Sequence, residues 1–227
     1  GLKAAILPLY FWLPRAYSSA PAPIAALFSI MTKVGIYAIF RVFTLIFGEQ
    51  AGGLAHLAQP WLWWGGLATL VMATLGVLSA RDLRMQISYF MLISIGTLLC
   101  GLGMEGTASR GAMLFYMLHT SLINGGLFLL TDMIADQRGK VGTRIVRSRK
   151  FKYATLLSAL YMIGAVSSAG LPPLSGALAK AWLMSTATLS EGLWLWPLLL
   201  LSGLAGVIAA SRLSLIHISE PTRRYAI

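Results

Sequence analysis

The amino-acid sequence predicts an all-α, polytopic membrane helix bundle, and three observations carry that prediction. Of the 227 residues, 57% are hydrophobic and only 11% are charged, against roughly 25% charged in a soluble domain. The apolar residues fall in runs of membrane-spanning length, about 20 residues per helix. The lysines and arginines collect in a few short loops between those runs, as the loops of a multi-span protein do. The formal charge of +11 is therefore not the footprint of nucleic-acid binding. Cys100, the single cysteine, lies in an apolar run, permits no intrachain disulfide and reads as core filler. No zinc-ligand spacing, phosphate-binding glycine loop or soluble catalytic constellation is visible, so no metal and no cofactor is expected.

In chain order, residues 2–13 are apolar and read as the end of a truncated helix. Pro14 to Pro23 holds three prolines, Arg15 and two serines, and predicts a loop. Residues 24–47 form the first full span. Gly48 to Pro60 carries Glu49 and His56 but no lysine or arginine. The next span covers 61–80 and starts with Trp61, Trp63 and Trp64, an interfacial belt. Arg81, Asp82 and Arg84 mark a basic turn before a span over 86–103. Met104 to Arg110, with Glu105, leads to a span over 111–133. Ala135 to Lys152 is the most basic loop, with Arg138, Lys140, Arg144, Arg147, Arg149, Lys150 and Lys152. A fifth span over 153–187 is interrupted at Pro172-Pro173, and the last covers 193–211. The total is about six full spans plus one truncated helix in one transmembrane domain, 1–212. Residues 213–227 read as a non-native tail: the run SLIHISEPTRRYAI breaks the membrane pattern and resembles a translated sequencing-adapter read-through. Alternation of the spans puts Arg15, Arg81, Arg84, the Arg138–Lys152 loop and Arg212 on one side, which the positive-inside rule assigns to the cytoplasm.

Three side chains are out of place in such a chain. Lys180 follows the run Gly170-Leu171-Pro172-Pro173-Leu174-Ser175-Gly176 inside an apolar span, where a lysine costs roughly 2.5–3.5 kcal/mol on insertion scales. Pro172 and Pro173 lack N–H groups and break the helix, which frees the carbonyls of Ser168 and Ala169; Ser167, Ser168 and Ser175 stand ready to re-satisfy the break. Lys33 lies near the middle of its span, with Ser29, Tyr37 and Arg41 at spacings of four, a polar track on one helix face. His119 sits mid-span among Tyr116, Thr120, Ser121 and Asn124, and an imidazole both takes and gives a proton near neutral pH. A charge beside a broken helix at membrane depth marks an ion pathway. Lys3 is uninformative from periodicity alone. Asp132 and Asp136, at the cytoplasmic end of the fourth span, read most simply as interfacial caps or loop contacts. No carboxylate lies mid-membrane to pair with Lys33 or Lys180, so a partner comes from elsewhere or the lysines spend part of the time neutral.

The set Lys3, Pro8, Trp12, Leu13 and Pro14, then Ala20 to Pro23, then Lys33, Tyr37 and Arg41 resembles the antiporter-like subunits. That family spans Mrp-type multisubunit cation/proton antiporters and the proton-pumping membrane subunits of respiratory complex I. The resemblance covers residues 1–212 and implies a hydrated polar axis near the midplane, with Lys3, Lys33 and Lys180 at its lysine positions. His119 joins them on the residue reading, and Tyr37, Arg41, Tyr116, Asn124 and Asp132 are secondary pathway candidates. Tyr116 to Ser121, Phe128 to Asp132 and the Gly-Leu-Pro-Pro-Leu-Ser-Gly run resemble the D-type component of the Mrp (Pha) antiporters in particular. Complex I subunits often carry a lysine near Asn124, so that position leans away from them. The implied protein is a bacterial inner-membrane transporter subunit rather than an enzyme, exchanging Na+ or K+ for H+ with other subunits of a hetero-oligomeric complex. A subunit of a proton-translocating NADH:quinone oxidoreductase or a related hydrogenase complex is the alternative. A purely structural membrane subunit is the third reading, and the insertion cost of two mid-membrane lysines disfavours it.

Overall fold

Proline placement decides how the chain enters the bundle. Pro8 has no N–H and pushes Leu7 away from helical geometry, so residues 2–11 form a succession of turns, not the helix end expected there. The Leu7 N–H donates instead to Thr69 Oγ1 at 3.0 Å. The computed structural model describes residues 2–54, 56–104, 107–146 and 153–218. Glu105, Arg147, Arg149, Lys150, Lys152 and the tail beyond residue 218 lie outside the described residues. The expected loop from Pro14 contains a short helix, α1 (Trp12–Ser19). Pro14 falls in its first turn, where a missing N–H breaks no bond. Leu13 and Tyr17, four apart, are buried on one face, and the Tyr17 hydroxyl donates to Phe28 O at 2.7 Å.

The remaining helices are α2 (Ala22–Leu45), α3 (Gln59–Ser79), α4 (Leu83–Gly103), α5 (Thr107–Arg138), α6 (Ala154–Ala169), α7 (Ser175–Ser185) and α8 (Leu189–Ile218). Five of these, α2, α3, α4, α5 and α8, are long and apolar enough to cross a membrane, and α6 is a shorter apolar helix. The α6–α7 pair is the interrupted span, so the expected polytopic bundle is present. Most helices start a few residues before the expected bounds, and two run well past them at their C-terminal ends. α5 continues through Arg138, into the start of the expected basic loop. α8 continues to Ile218, because extending a long helix through Leu213 to Ile218 needs no new nucleus.

α4 is the axle of the bundle. It packs against α1, α2, α3, α5, α6 and α8 and is buried around nearly its whole circumference, as a helix apolar on all faces must be. In lipid the apolar effect gives helices no reason to pair, and close packing of small residues does. α3 and α4 form an antiparallel hairpin in which Gly66 lies against Cys100 and Gly96 against Leu70. A Cβ at Gly96 would sit 2.8 Å from Leu70 N and 3.0 Å from Gly66 O, so the two backbones nearly touch.

The two ends of the bundle differ in chemistry. At one end Trp61, Trp64, Trp194 and Trp196 are exposed, and the Trp64 and Trp194 rings meet with centroids 5.9 Å apart. Trp63, expected to join that belt, is half-buried with its backbone against Gly103. At the other end Arg84 donates to Ala20 O at 3.3 Å and pairs with Asp132 at 2.7 Å, and Arg212 donates to Leu78 O at 2.6 Å. Arg138 is buried and threads the loop after α5, donating to Gly142 O, Arg144 O and Val146 O at 3.1, 2.8 and 2.6 Å. Among the described residues that loop pairs with the α3–α4 turn through an Asp82–Arg144 bridge.

Candidate functional site

The site is built on the break between α6 and α7. Gly170 adopts φ 79°, a left-handed conformation open to glycine, and its N–H returns to Val166 O at 3.0 Å while the Leu171 N–H reaches the same carbonyl at 3.2 Å. That turn closes α6 as a helix C-terminus. Pro172 and Pro173 follow on the exposed side of the break, and α7 starts at Ser175.

Two of the last carbonyls of α6 are taken by side chains. Lys180 reaches back from α7 and its Nζ donates to Ala169 O at 2.6 Å. The carboxyl end of a helix carries partial negative charge, so an ammonium is well placed there. Ala169 is one of the two carbonyls expected to be freed; the other that acquires a side chain is that of Ser167, not Ser168. His119 of α5 holds it, with Nε2 at 3.3 Å from Ser167 O, and its Nδ1 lies 3.0 Å from Ser175 Oγ. A carbonyl only accepts, so Nε2 bears the hydrogen and the Ser175 hydroxyl donates to Nδ1 in the neutral ring. A charged ring donates from both nitrogens, with the Ser175 oxygen accepting. Both states of His119 are therefore satisfied by the same two partners.

Close backbone approach makes this geometry possible. A Cβ at Gly176 would overlap the Ser167 carbonyl oxygen and sit 2.9 Å from His119 Nε2. On the far side Gly203 of α8 lets its helix approach Ala169 O, 3.0 Å from where a Cβ would stand. Beside the break a cleft of about 390 Å³, walled by Leu171, Pro172, Pro173, Leu178 and Leu199, reaches Lys180.

Lys33 stands on α2, and α5, which carries His119, packs against both α2 and α7. Lys33, Lys180 and His119 are 2%, 4% and 9% exposed, and both lysines lie within electrostatic reach of the imidazole. Lys33 Nζ is buried with no hydrogen-bond partner among the described residues. Ser29, one turn before it, is also buried, and its hydroxyl lies 2.7 Å from Ala26 O and 3.4 Å from Ser121 O of α5. Asn124 is buried on α5, accepting from the Ser168 hydroxyl at 3.3 Å while its Nδ2 has no partner among the described residues. Tyr116 is buried one turn before His119.

Four candidates lie elsewhere. The track from Ser29 and Lys33 does not stay on one buried face, and Tyr37 and Arg41 are exposed. Spacing of four overruns the 3.6-residue turn by about 40° each time, so the buried face passes instead through Thr32 and Ile36. Lys3 is exposed, with its Cβ and the Ala4 backbone lying over Gly35 of α2. Asp132 pairs with Arg84 at the basic end, 2.7 Å away. Gln86 was not anticipated: it is buried on α4 and accepts from the Tyr161 hydroxyl at 3.0 Å. The only sequence signal was an amide inside an apolar span. Among the described residues no three His, Cys, Asp or Glu side chains gather as a metal site would require.

Comparison with known proteins adds the family context. Residues 1–206 match the model of the NADH:quinone oxidoreductase/Mrp antiporter transmembrane family. A probable K(+)/H(+) antiporter component of the D type from Rhizobium meliloti is 34% identical over 94% of this chain and 45% of its own length. The D-type component of the Na(+)/H(+) antiporter of Alkalihalophilus pseudofirmus is 38% identical over 84% of this chain and 38% of its own. In the solved Mrp complex from Dietzia sp., one chain superposes with a TM-score of 0.80 at 27% identity, over 93% of this chain and 39% of that one. The chain thus spans less than half the length of these relatives.

Proposed function

The chain belongs to the NADH:quinone oxidoreductase/Mrp antiporter transmembrane family, and on that footing we propose that it is part of a D-type subunit of a multisubunit monovalent cation/proton antiporter. In this reading protons move along Lys33, His119 and Lys180, with Lys3 extending the axis, and Na+ or K+ is exchanged in return. Burying an unpaired ammonium is costly, so Lys33 must gain a polar partner or give up its proton, and a relay alternates between those two options. His119 accepts a proton on Nδ1 and keeps both hydrogen bonds when it does. Charge on any one member changes the balance at the others, so occupancy at one site biases the next.

The observation that carries this reading is the burial of two lysines around a histidine that bridges a broken helix. The names of the D-type antiporter relatives support cation exchange, and Asn124 in place of a lysine supports the Mrp-type branch over the quinone-linked one. The basic end faces the cytoplasm of a bacterial inner membrane in this reading, and the complex holds further subunits.

The test is a Lys180→Ala change in the full-length subunit, expressed with its complex and assayed in inverted membrane vesicles. Cation-dependent collapse of a preformed proton gradient should be lost while the complex still assembles. Unaltered exchange would reject the assigned role and favour a subunit that only anchors its neighbours.

A further inference from the structure

At the basic end, away from the lysine–histidine cluster, a cavity of about 530 Å³ is lined by Arg81, Asp82, Met85, Arg144, Ile145 and Arg212, among others. We propose that this cavity binds the phosphate of an anionic phospholipid headgroup, with the acyl chains lying along α3 and α8.

The charge balance of the cavity comes first. Three guanidinium groups meet one carboxylate, and that carboxylate is fully engaged. Asp82 Oδ1 accepts the Arg84 and Met85 N–H groups at 2.9 and 3.4 Å, capping α4, and Oδ2 accepts the Thr143 hydroxyl at 2.6 Å. Neither the Arg81 nor the Arg144 side chain has a hydrogen bond or ion pair among the described residues, and both are exposed. Arg212 spends one nitrogen on Leu78 O and keeps the rest of its fork. Guanidinium forks match phosphate oxygens in pairs.

Architecture holds these groups in place. The loop after α5 is tied to the α3–α4 turn by Leu83 N–H to Thr143 O at 2.9 Å and Ile145 N–H to Arg81 O at 3.0 Å, which sets Arg81 and Arg144 side by side. Arg138 locks the same loop from beneath through three carbonyls. The arginines are thus presented by a braced loop.

A lipid fits better than a soluble anion because the wall is half apolar. Met85 and Ile145 line the cavity with the arginines. Leu75 on α3 and Ile208 on α8, each about one turn inside Ala80 and Arg212, are 59% and 46% exposed. A headgroup in the cavity leaves its chains against those residues. Basic pockets between helices at a membrane surface recognise headgroups in this way.

The experiment uses the full-length subunit in its purified, delipidated complex, titrated with phosphatidylglycerol or phosphatidylcholine and read by native mass spectrometry. The parental complex should bind phosphatidylglycerol in preference to phosphatidylcholine. R81Q/R144Q should bind phosphatidylglycerol roughly thirty-fold more weakly, at about fivefold per arginine, while R81K/R144K retains most of the affinity. If the double glutamine variant does not accumulate, R144Q alone should show the fivefold loss. Equal affinity for the two lipids, or undiminished binding by R81Q/R144Q and R144Q, overturns the proposal. Inorganic phosphate bound by the delipidated parental complex at least as tightly as phosphatidylglycerol would assign the cavity to a free anion and overturn it as well. So would phosphatidylglycerol binding that emerges only when a neighbouring subunit is stripped away, which marks a protein interface. None of these readouts depends on transport.

Discussion

Two substitutions at His119 separate a titrating role from a packing role. Glutamine places an amide nitrogen near Nε2 and preserves the donation to Ser167 O; asparagine places one near Nδ1 and preserves the contact with Ser175 Oγ. Neither takes up a proton. The stability cost is small because each variant surrenders one bond and leaves little stranded. Ser167 O still accepts from the Gly170 N–H at 3.2 Å, and a serine hydroxyl can turn to a backbone carbonyl three or four residues back. The loss per variant is about 1 kcal/mol, the net worth of one neutral hydrogen bond. Exchange should fall by about a hundredfold in both, the lower end of what a positioned proton-transfer group contributes. The assay pairs the initial rate of cation-induced gradient collapse in vesicles with the thermal midpoint of the purified complex. Near-parental exchange in either variant refutes a proton route through the imidazole. A rate loss that merely follows the loss of stability assigns His119 to packing.

Lys33→Met keeps the length of the side chain and removes the buried amine, so it should leave the complex at least as stable as the parent while exchange is abolished; a marked drop in thermal midpoint would show that the ammonium has a structural partner. Gly96→Val drives a side chain into the Leu70 and Gly66 backbones, and overpacking of this kind costs about 1–3 kcal/mol. Its effect should be read as reduced assembly in detergent, and full assembly would mean that the α3–α4 contact has slack.

The positions of Lys33, His119 and Lys180 were legible because a polar group in a long apolar run is costly and stands out without any knowledge of tertiary structure. The break at Pro172-Pro173 was legible for a similar reason, since two missing N–H groups cannot continue a helix. The partners were not. His119 reaches residues 48 and 56 positions away, and Asp132 meets an arginine 48 positions back; such pairings depend on how helices stack, which local spacing does not encode. α1 was hidden because three prolines in ten residues look like a loop, although the first sits where a helix tolerates it. The divergence of Tyr37 and Arg41 from Lys33 follows from the difference between a 3.6-residue turn and a spacing of four, and it grows with every turn.

The partners of His119 come from opposite rims of one gap, Ser167 before it and Ser175 after it. A staple across a gap resists widening, and under the proposed relay this staple would change charge without letting go. Loading the ring asks only that the Ser175 hydrogen swing around its own C–O bond. A swing of that size takes picoseconds to nanoseconds, whereas displacing helices takes microseconds or longer. In the proposed relay, charge would arrive at and leave this ring on the timescale of a rotor, with the scaffold standing still.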